Sequence, residues 1–144
     1  MSEVFISYSH QDKGFLDKLR RHFRPFENRI NFWDDSKILP GQKWKNEIEG
    51  ALIKCKIAIL MISADFFSSE FINEVELPRL LEQAENNGTL ILSIILKPCL
   101  FDEYPGINQY QAMNSPQQPV SELNDSEQEK LFVSVAKRIK EHLL

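Results

Sequence analysis

The carboxylates that follow one apolar run are the first residues in this chain that could do chemistry. Ile57-Ala58-Ile59-Leu60-Met61-Ile62 gives way to Ser63-Ala64-Asp65-Phe66-Phe67, and then to an acidic stretch carrying Glu70, Glu74 and Glu76. A carboxylate beside an aromatic-lined crevice can stabilise a cationic transition state, hold hydroxyl groups or trap an intermediate. At the α-helical period, steps of four and six residues turn by about 40° and 240°, so Glu70 and Glu74 share a face and Glu76 points elsewhere. Acidic residues in the first turns of a helix also favour the macrodipole and are usually just solvated. On spacing alone, that plainer reading is the stronger one.

Other chemistries find less support. The five glycines are scattered, with neither GxGxxG nor GxxxxGK[ST] among them. His10, His22 and His142 lack metal-ligand spacing, and no metal site is expected. His22 and His142 read as solvated helix-surface residues, and His10 as a structural loop residue. Ser7, Ser9 and Ser63 have no evident His/Asp partners for a nucleophile. Cys55 and Cys99, 44 residues apart, read as buried thiols.

The elements that must position these residues follow from periodicity. Ile57–Ile62 and 90–96 are continuous apolar runs, which suits strands buried on both faces. Val4-Phe5-Ile6 is a shorter run of the same kind, and Ile30-Asn31-Phe32-Trp33 reads as a more peripheral strand. Between strands one and two, Phe15, Leu16, Leu19, Phe23 and Phe26 recur at helical spacing, with Asp12 as a cap and Pro25 ending the helix. A second helix starts near Gln42, with Trp44, Ile48, Ala51 and Leu52 on its buried face. A third begins near Ser69 and stops at Asn86-Asn87-Gly88. Residues 97–124 hold four prolines, and a short fifth strand is expected at 109–113. A last helix from Asp125 carries Leu131, Val135, Ala136, Ile139 and Leu143.

Strands alternating with helices imply an α/β fold: a parallel sheet with helices on both faces and right-handed crossovers. Strands one, three and four should be central, which fits a flavodoxin-like order of 2-1-3-4-5. Its switch point lies between strands one and three, where a ligand crevice is expected at the carboxyl ends carrying Ser7–His10 and Ser63–Phe67.

The 144 residues suit a single domain, 1–144. A chain 42% hydrophobic and 26% charged, with net charge −4 and no basic block, is globular in composition and a poor candidate for nucleic-acid binding. No run is long enough to span a bilayer and no leader pattern opens the chain, so a cytoplasmic location with no membrane partner is expected.

Four motifs in order then resemble the Toll/interleukin-1 receptor (TIR) domain. They are Val4-Phe5-Ile6-Ser7-Tyr8-Ser9; Phe32-Trp33-Asp34-Asp35 with Ile38, Pro40-Gly41 and Trp44; Ile59–Phe66 followed by Ser69, Phe71 and Glu76-Leu77-Pro78; and Ile94-Ile95-Leu96-Lys97-Pro98-Cys99. The resemblance covers nearly the whole chain and is closest to bacterial members. It implies one of two functions: a scaffold or host-directed effector acting through other TIR domains, or an enzyme that cleaves the nicotinamide–ribose bond of NAD+ by hydrolysis or cyclisation. The enzymatic reading, set in bacterial defence, is the leading one, with NAD+ as substrate and no cofactor.

By that resemblance the catalytic glutamate is Glu76, with Glu74 as second choice. Many members place it four residues after a tryptophan, whereas here Phe71 plus four is Val75, which implies a one-residue insertion. Tyr8, Trp33 and Phe66, with Trp44, become candidates for stacking on the substrate, and Ser9 and Asp34 for binding its hydroxyls or pyrophosphate. The loop Ile38-Leu39-Pro40-Gly41, with exposed apolar residues, is the expected self-association surface. Other TIR domains, and a sensor domain or separate activator, are the expected partners.

Overall fold

The computed structural model describes residues 3–144. Four parallel strands form one sheet: β1 (Val4–Ser7), β2 (Phe32–Trp33), β3 (Ile57–Ile62) and β4 (Leu90–Ile95), in the order β2-β1-β3-β4. Helices α1 (Lys13–Arg21), α2 (Trp44–Lys54), α3 (Ala64–Ser68), α4 (Leu77–Asn87), α5 (Pro105–Asn108) and α6 (Asp125–Leu143) surround it. This is the expected flavodoxin-like architecture over its first four strands.

The two-residue period of β3 explains why its sequence is apolar throughout. Ile57, Ile59 and Met61 pack with Leu16 and Leu19 of α1 and Phe132, Val135 and Ile139 of α6. Ala58, Leu60 and Ile62 pack on the opposite face with Ile48 and Leu52 of α2 and Leu80 of α4. Every residue of β1 and β3 is buried, so neither face tolerates a polar position until the strands end.

Several expectations are corrected. No fifth strand forms among the described residues at 109–113. Instead, Met113 N–H donates to Ser93 O at 2.8 Å, and the Asn114 side chain accepts from Ile95 N–H and donates to Ile95 O. A side-chain amide thus satisfies part of the outer edge of β4 in place of a ladder. Helix α1 ends at Arg21, before Pro25, which sits in a separate short turn, Arg24–Phe26. Asp12 makes no capping bond, because its buried carboxylate is taken by Lys97 Nζ at 2.7 Å and by the Ser63 hydroxyl. Trp44 is 48% exposed rather than buried, lying edge-on to Phe71. Cys55 is buried, but Cys99 only partly so. The His22 ring is mostly covered, beside Phe132 and Glu129.

The third helix also differs, in a way that matters for the site. A short α3 starts at once after β3, capped by Ser63 Oγ accepting from Phe66 N–H at 3.0 Å. After a break at Ser69 comes a π-helical turn, Ile72–Glu76, which runs straight into α4. Pro78 gives a physical reason for the wide turn. It has no N–H to offer the carbonyl four residues back, and its ring crowds that carbonyl. Leu77 N–H reaches back five residues to Ile72 O instead. A π turn holds one residue more than an α turn, so everything after it is shifted in phase by about 100°. Gly88, at φ +73°, then closes α4 in the left-handed conformation the Asn-Asn-Gly run implied.

Candidate functional site

Ser7 is the last residue of β1 and lies in register with Leu60 of β3, at the place where the strand order of the sheet reverses. Its hydroxyl donates to Glu76 Oε1 at 2.7 Å. Both groups are buried, Ser7 at 1% and Glu76 at 6% exposure. The π turn is what delivers Glu76 to this position, while Glu70 and Glu74 on the same helical segment face solvent. A deeply buried carboxylate is costly to ionise. Burial accordingly pushes the Glu76 carboxyl up from 4.5 to about 7; the Ser7 hydrogen bond pulls the other way, the Asp35 charge adds to the rise and His10 opposes it.

Glu76 forms one wall of an open cavity of about 320 Å³, with Tyr8, Ser9, His10 and Gln11 from the loop after β1, Asp35 from the loop after β2, and Ser69, Phe71 and Ile72. Ser9 Oγ accepts from Gln11 N–H at 3.3 Å and shapes that loop. The Tyr8 hydroxyl donates to Asp35 Oδ1 at 2.9 Å, and His10 Nε2 lies 2.6 Å from Asp35 Oδ2. Burial, then the neighbouring Asp35 carboxylate, raises the Tyr8 phenol above its ordinary value, so it stays a hydrogen-bond donor at neutral pH.

Of the residues singled out from sequence, Glu76, Tyr8 and Ser9 meet around this cavity. Trp33, Asp34 and Phe66 do not line it. Trp33 stacks on Phe5 of the adjacent strand, with centroids 5.1 Å apart. Asp34 is fully buried; it pairs with Arg20 of α1 and accepts from Ser36 N–H at 2.9 Å. Phe66 is a core residue under the α2–α4 face of the sheet. In the loop that follows, Leu39 is 62% exposed, but Ile38 is partly buried against that same core. Ser7 and His10 fall at the crevice expected from the strand ends but were given no role there, while Gln11, Asp35, Ser69, Phe71 and Ile72 line the cavity without having been singled out for it. The sequence signal for Ser7 is the end of an apolar run: a serine closing Val4-Phe5-Ile6 marks where the strand meets the crevice.

A larger cavity, about 540 Å³, sits at the other end of the sheet, lined by Ile53–Lys56, Gln83, 87–89 and His142. Its buried polar groups are all engaged. Gln83 donates to Leu52 O, and Thr89 Oγ1 to Cys55 O at 3.3 Å. The carboxyl ends of α2, α4 and α6 converge there, which disfavours an anion and offsets the lysines at its rim.

Comparison with known proteins agrees with this fold. Residues 4–131 match the family model of the TIR domain. The protein y4lF of Sinorhizobium fredii is 28% identical over 143 residues, a match covering 98% of this chain and 43% of that protein; the chain spans less than half of that relative's length. Among solved structures, the TIR domain of the Toll-related receptor TRR-2 from Hydra magnipapillata superimposes with a TM-score of 0.62 at 17% identity, covering 96% of this chain and 97% of that one. The RPS4 and RRS1 TIR domain heterodimer gives 0.59 at 16%, covering 99% of both chains. The TIR domains of the activated Roq1 resistosome give 0.55 at 18%, covering 95% and 84%. With a family model spanning most of the chain and the same fold in all three structures, this chain belongs to the TIR domain family.

Proposed function

We propose that this TIR domain cleaves the nicotinamide–ribose bond of NAD+, with Glu76 as the catalytic carboxylate. One observation carries the reading: a buried glutamate, held by Ser7, at the switch-point crevice of the sheet. Breaking this bond to a cationic leaving group moves positive charge onto the ribose. An ionised carboxylate in a site of low dielectric stabilises that charge far better than one in water. No acid is needed, because nicotinamide departs as a neutral molecule. Once NAD+ is bound, the positive charge of its pyridinium ring beside the carboxylate favours ionisation of Glu76.

The reading includes self-association through the loop Ile38–Gly41, where Leu39 is exposed. The TIR domains of RPS4 and RRS1 form a heterodimer, which supports contacts between TIR domains without indicating the surface. It also includes a setting in bacterial defence, supported by a bacterial relative and by the resistosome likeness. The test is nicotinamide release from NAD+ by the purified chain at low and high protein concentration, alongside Glu76→Ala. Release that steepens with concentration and vanishes in the variant supports the reading. Folded, assembled protein with no release at any concentration overturns it in favour of a scaffold.

A further inference from the structure

Three side chains from two separate loops meet at the same cavity. Asp35 opens the short turn Asp35–Lys37 after β2, and both of its carboxylate oxygens are engaged: Oδ1 by the Tyr8 hydroxyl at 2.9 Å, Oδ2 by His10 Nε2 at 2.6 Å. The turn itself is anchored from behind, since Asp34 caps it through Ser36 and is paired with Arg20. Against an ionised Asp35, which only accepts hydrogen bonds, His10 Nε2 is the donor, and in that tautomer Nδ1 keeps the lone pair. No hydrogen bond to Nδ1 exists among the described residues. The imidazole is thus oriented by a carboxylate that is itself oriented by a tyrosine, and it lines the cavity that Glu76 walls. A base held by a second group, itself fixed by a third, is the arrangement that activates a nucleophile on many unrelated folds.

We propose that His10 is the general base for the water that attacks ribose C1′, with Asp35 as its positioning residue; this rests on the NAD+-cleaving reading. The C1′–N bond breaks and its electron pair leaves with neutral nicotinamide. A lone pair of the water oxygen then forms the C1′–O bond, and one water proton passes to His10 Nδ1. The products are ADP-ribose and an imidazolium paired with Asp35, which loses its proton to solvent. Glu76 and His10 therefore divide the reaction: one balances charge, the other takes the proton.

The experiment uses a nucleophile with no proton to lose. 3-Acetylpyridine attacks the same carbon through its ring nitrogen and needs no base, so exchange and hydrolysis can be compared in one vessel. NAD+ is incubated with 3-acetylpyridine and either the wild type or His10→Gln, and both ADP-ribose and the exchanged dinucleotide are quantified. His10 is exposed, so the variant is expected to fold, which a melting curve checks. The ratio of exchange to hydrolysis is expected to rise by at least about tenfold, at the low end of what a general base contributes. Asp35→Asn should move it in the same direction, by less. Nicotinamide release with an unshifted ratio, including both products falling in parallel, overturns the role of His10 alone. No release from the wild type overturns the cleavage reading and this role with it.

Discussion

The Ser7 hydroxyl and the Glu76 carboxylate, 69 residues apart in sequence, lie 2.7 Å apart in the fold. That pair joins the end of β1 to a π turn, where burial raises the glutamate's carboxyl and makes it a cost to the fold while the Ser7 hydrogen bond works against both. Glu76→Gln separates the two. The folded protein holds the Glu76 proton more tightly than the unfolded chain between pH 4.5 and about 7, so stability falls as pH rises through that window. Above it the cost of a buried carboxylate is on the order of 3 kcal/mol. Glutamine keeps an acceptor for Ser7 and removes the charge. NAD+ cleavage should be lost, while at pH 8 the variant should melt several degrees higher than the wild type, and at pH 4 at the same temperature. A lower melting temperature at pH 8 would show that the site does not strain the fold.

Ser7→Ala removes a hydrogen bond that favours the Glu76 carboxylate. The carboxyl should rise further, by about one unit for the loss of a bond to a charged group. In a pH profile of kcat/KM, the acidic limb should move to higher pH by that amount, with activity largely recovered at alkaline pH. An unmoved limb would mean that Ser7 does not act on this group.

Much of the fold was legible because burial on both faces leaves a strand no polar positions. β1, β3 and β4 could be read from apolar runs alone, and their order from the weaker β2. The expected fifth strand is absent, because Asn114 meets the β4 edge with a side chain, an arrangement that leaves no periodic trace. At the site, Glu76 was reached by resemblance, and the π turn that ends at it left no sign that spacing alone could show. Trp33, Asp34 and Phe66 look like binding residues by type and place, yet Phe5, Arg20 and the core claim them. Spacing cannot show which partner an aromatic or a carboxylate will find across the sheet.

The π turn also ranks the two candidate glutamates. Glu74 is exposed and absent from the cavity wall. Glu74→Ala should leave NAD+ cleavage within about twofold of wild type and stability within about 0.5 kcal/mol, as for an ordinary surface substitution. Loss of activity in this variant with Glu76→Ala still active would reverse the assignment.

Asp34 is expected to act on stability. Its carboxylate is fully buried, with the Arg20 guanidinium as its ion partner. Arg20→Met should cost about 3 kcal/mol in urea unfolding, because it leaves an uncompensated buried charge. A double variant, Arg20→Met with Asp34→Asn, should recover part of that loss. An additive double variant would mean the pair is not coupled.

Leu39 tests whether assembly and catalysis are linked. It is 62% exposed in a loop whose neighbour Ile38 packs partly buried against the core, so the loop presents the Leu39 side chain to solvent. The turn just before it carries Asp35, which holds Tyr8 and His10 in the cavity wall. A partner seated on Leu39 therefore sits a few residues from the groups that shape the site. Leu39→Asp places a charge where an apolar contact would form, without touching the core. NAD+ turnover per molecule should lose its dependence on protein concentration and stay at the dilute value, and light scattering should show no large species. Glu76→Ala should do the reverse and assemble without turnover. If Leu39→Asp keeps the concentration dependence, self-association uses another surface, and the link through the Asp35 turn is lost with it.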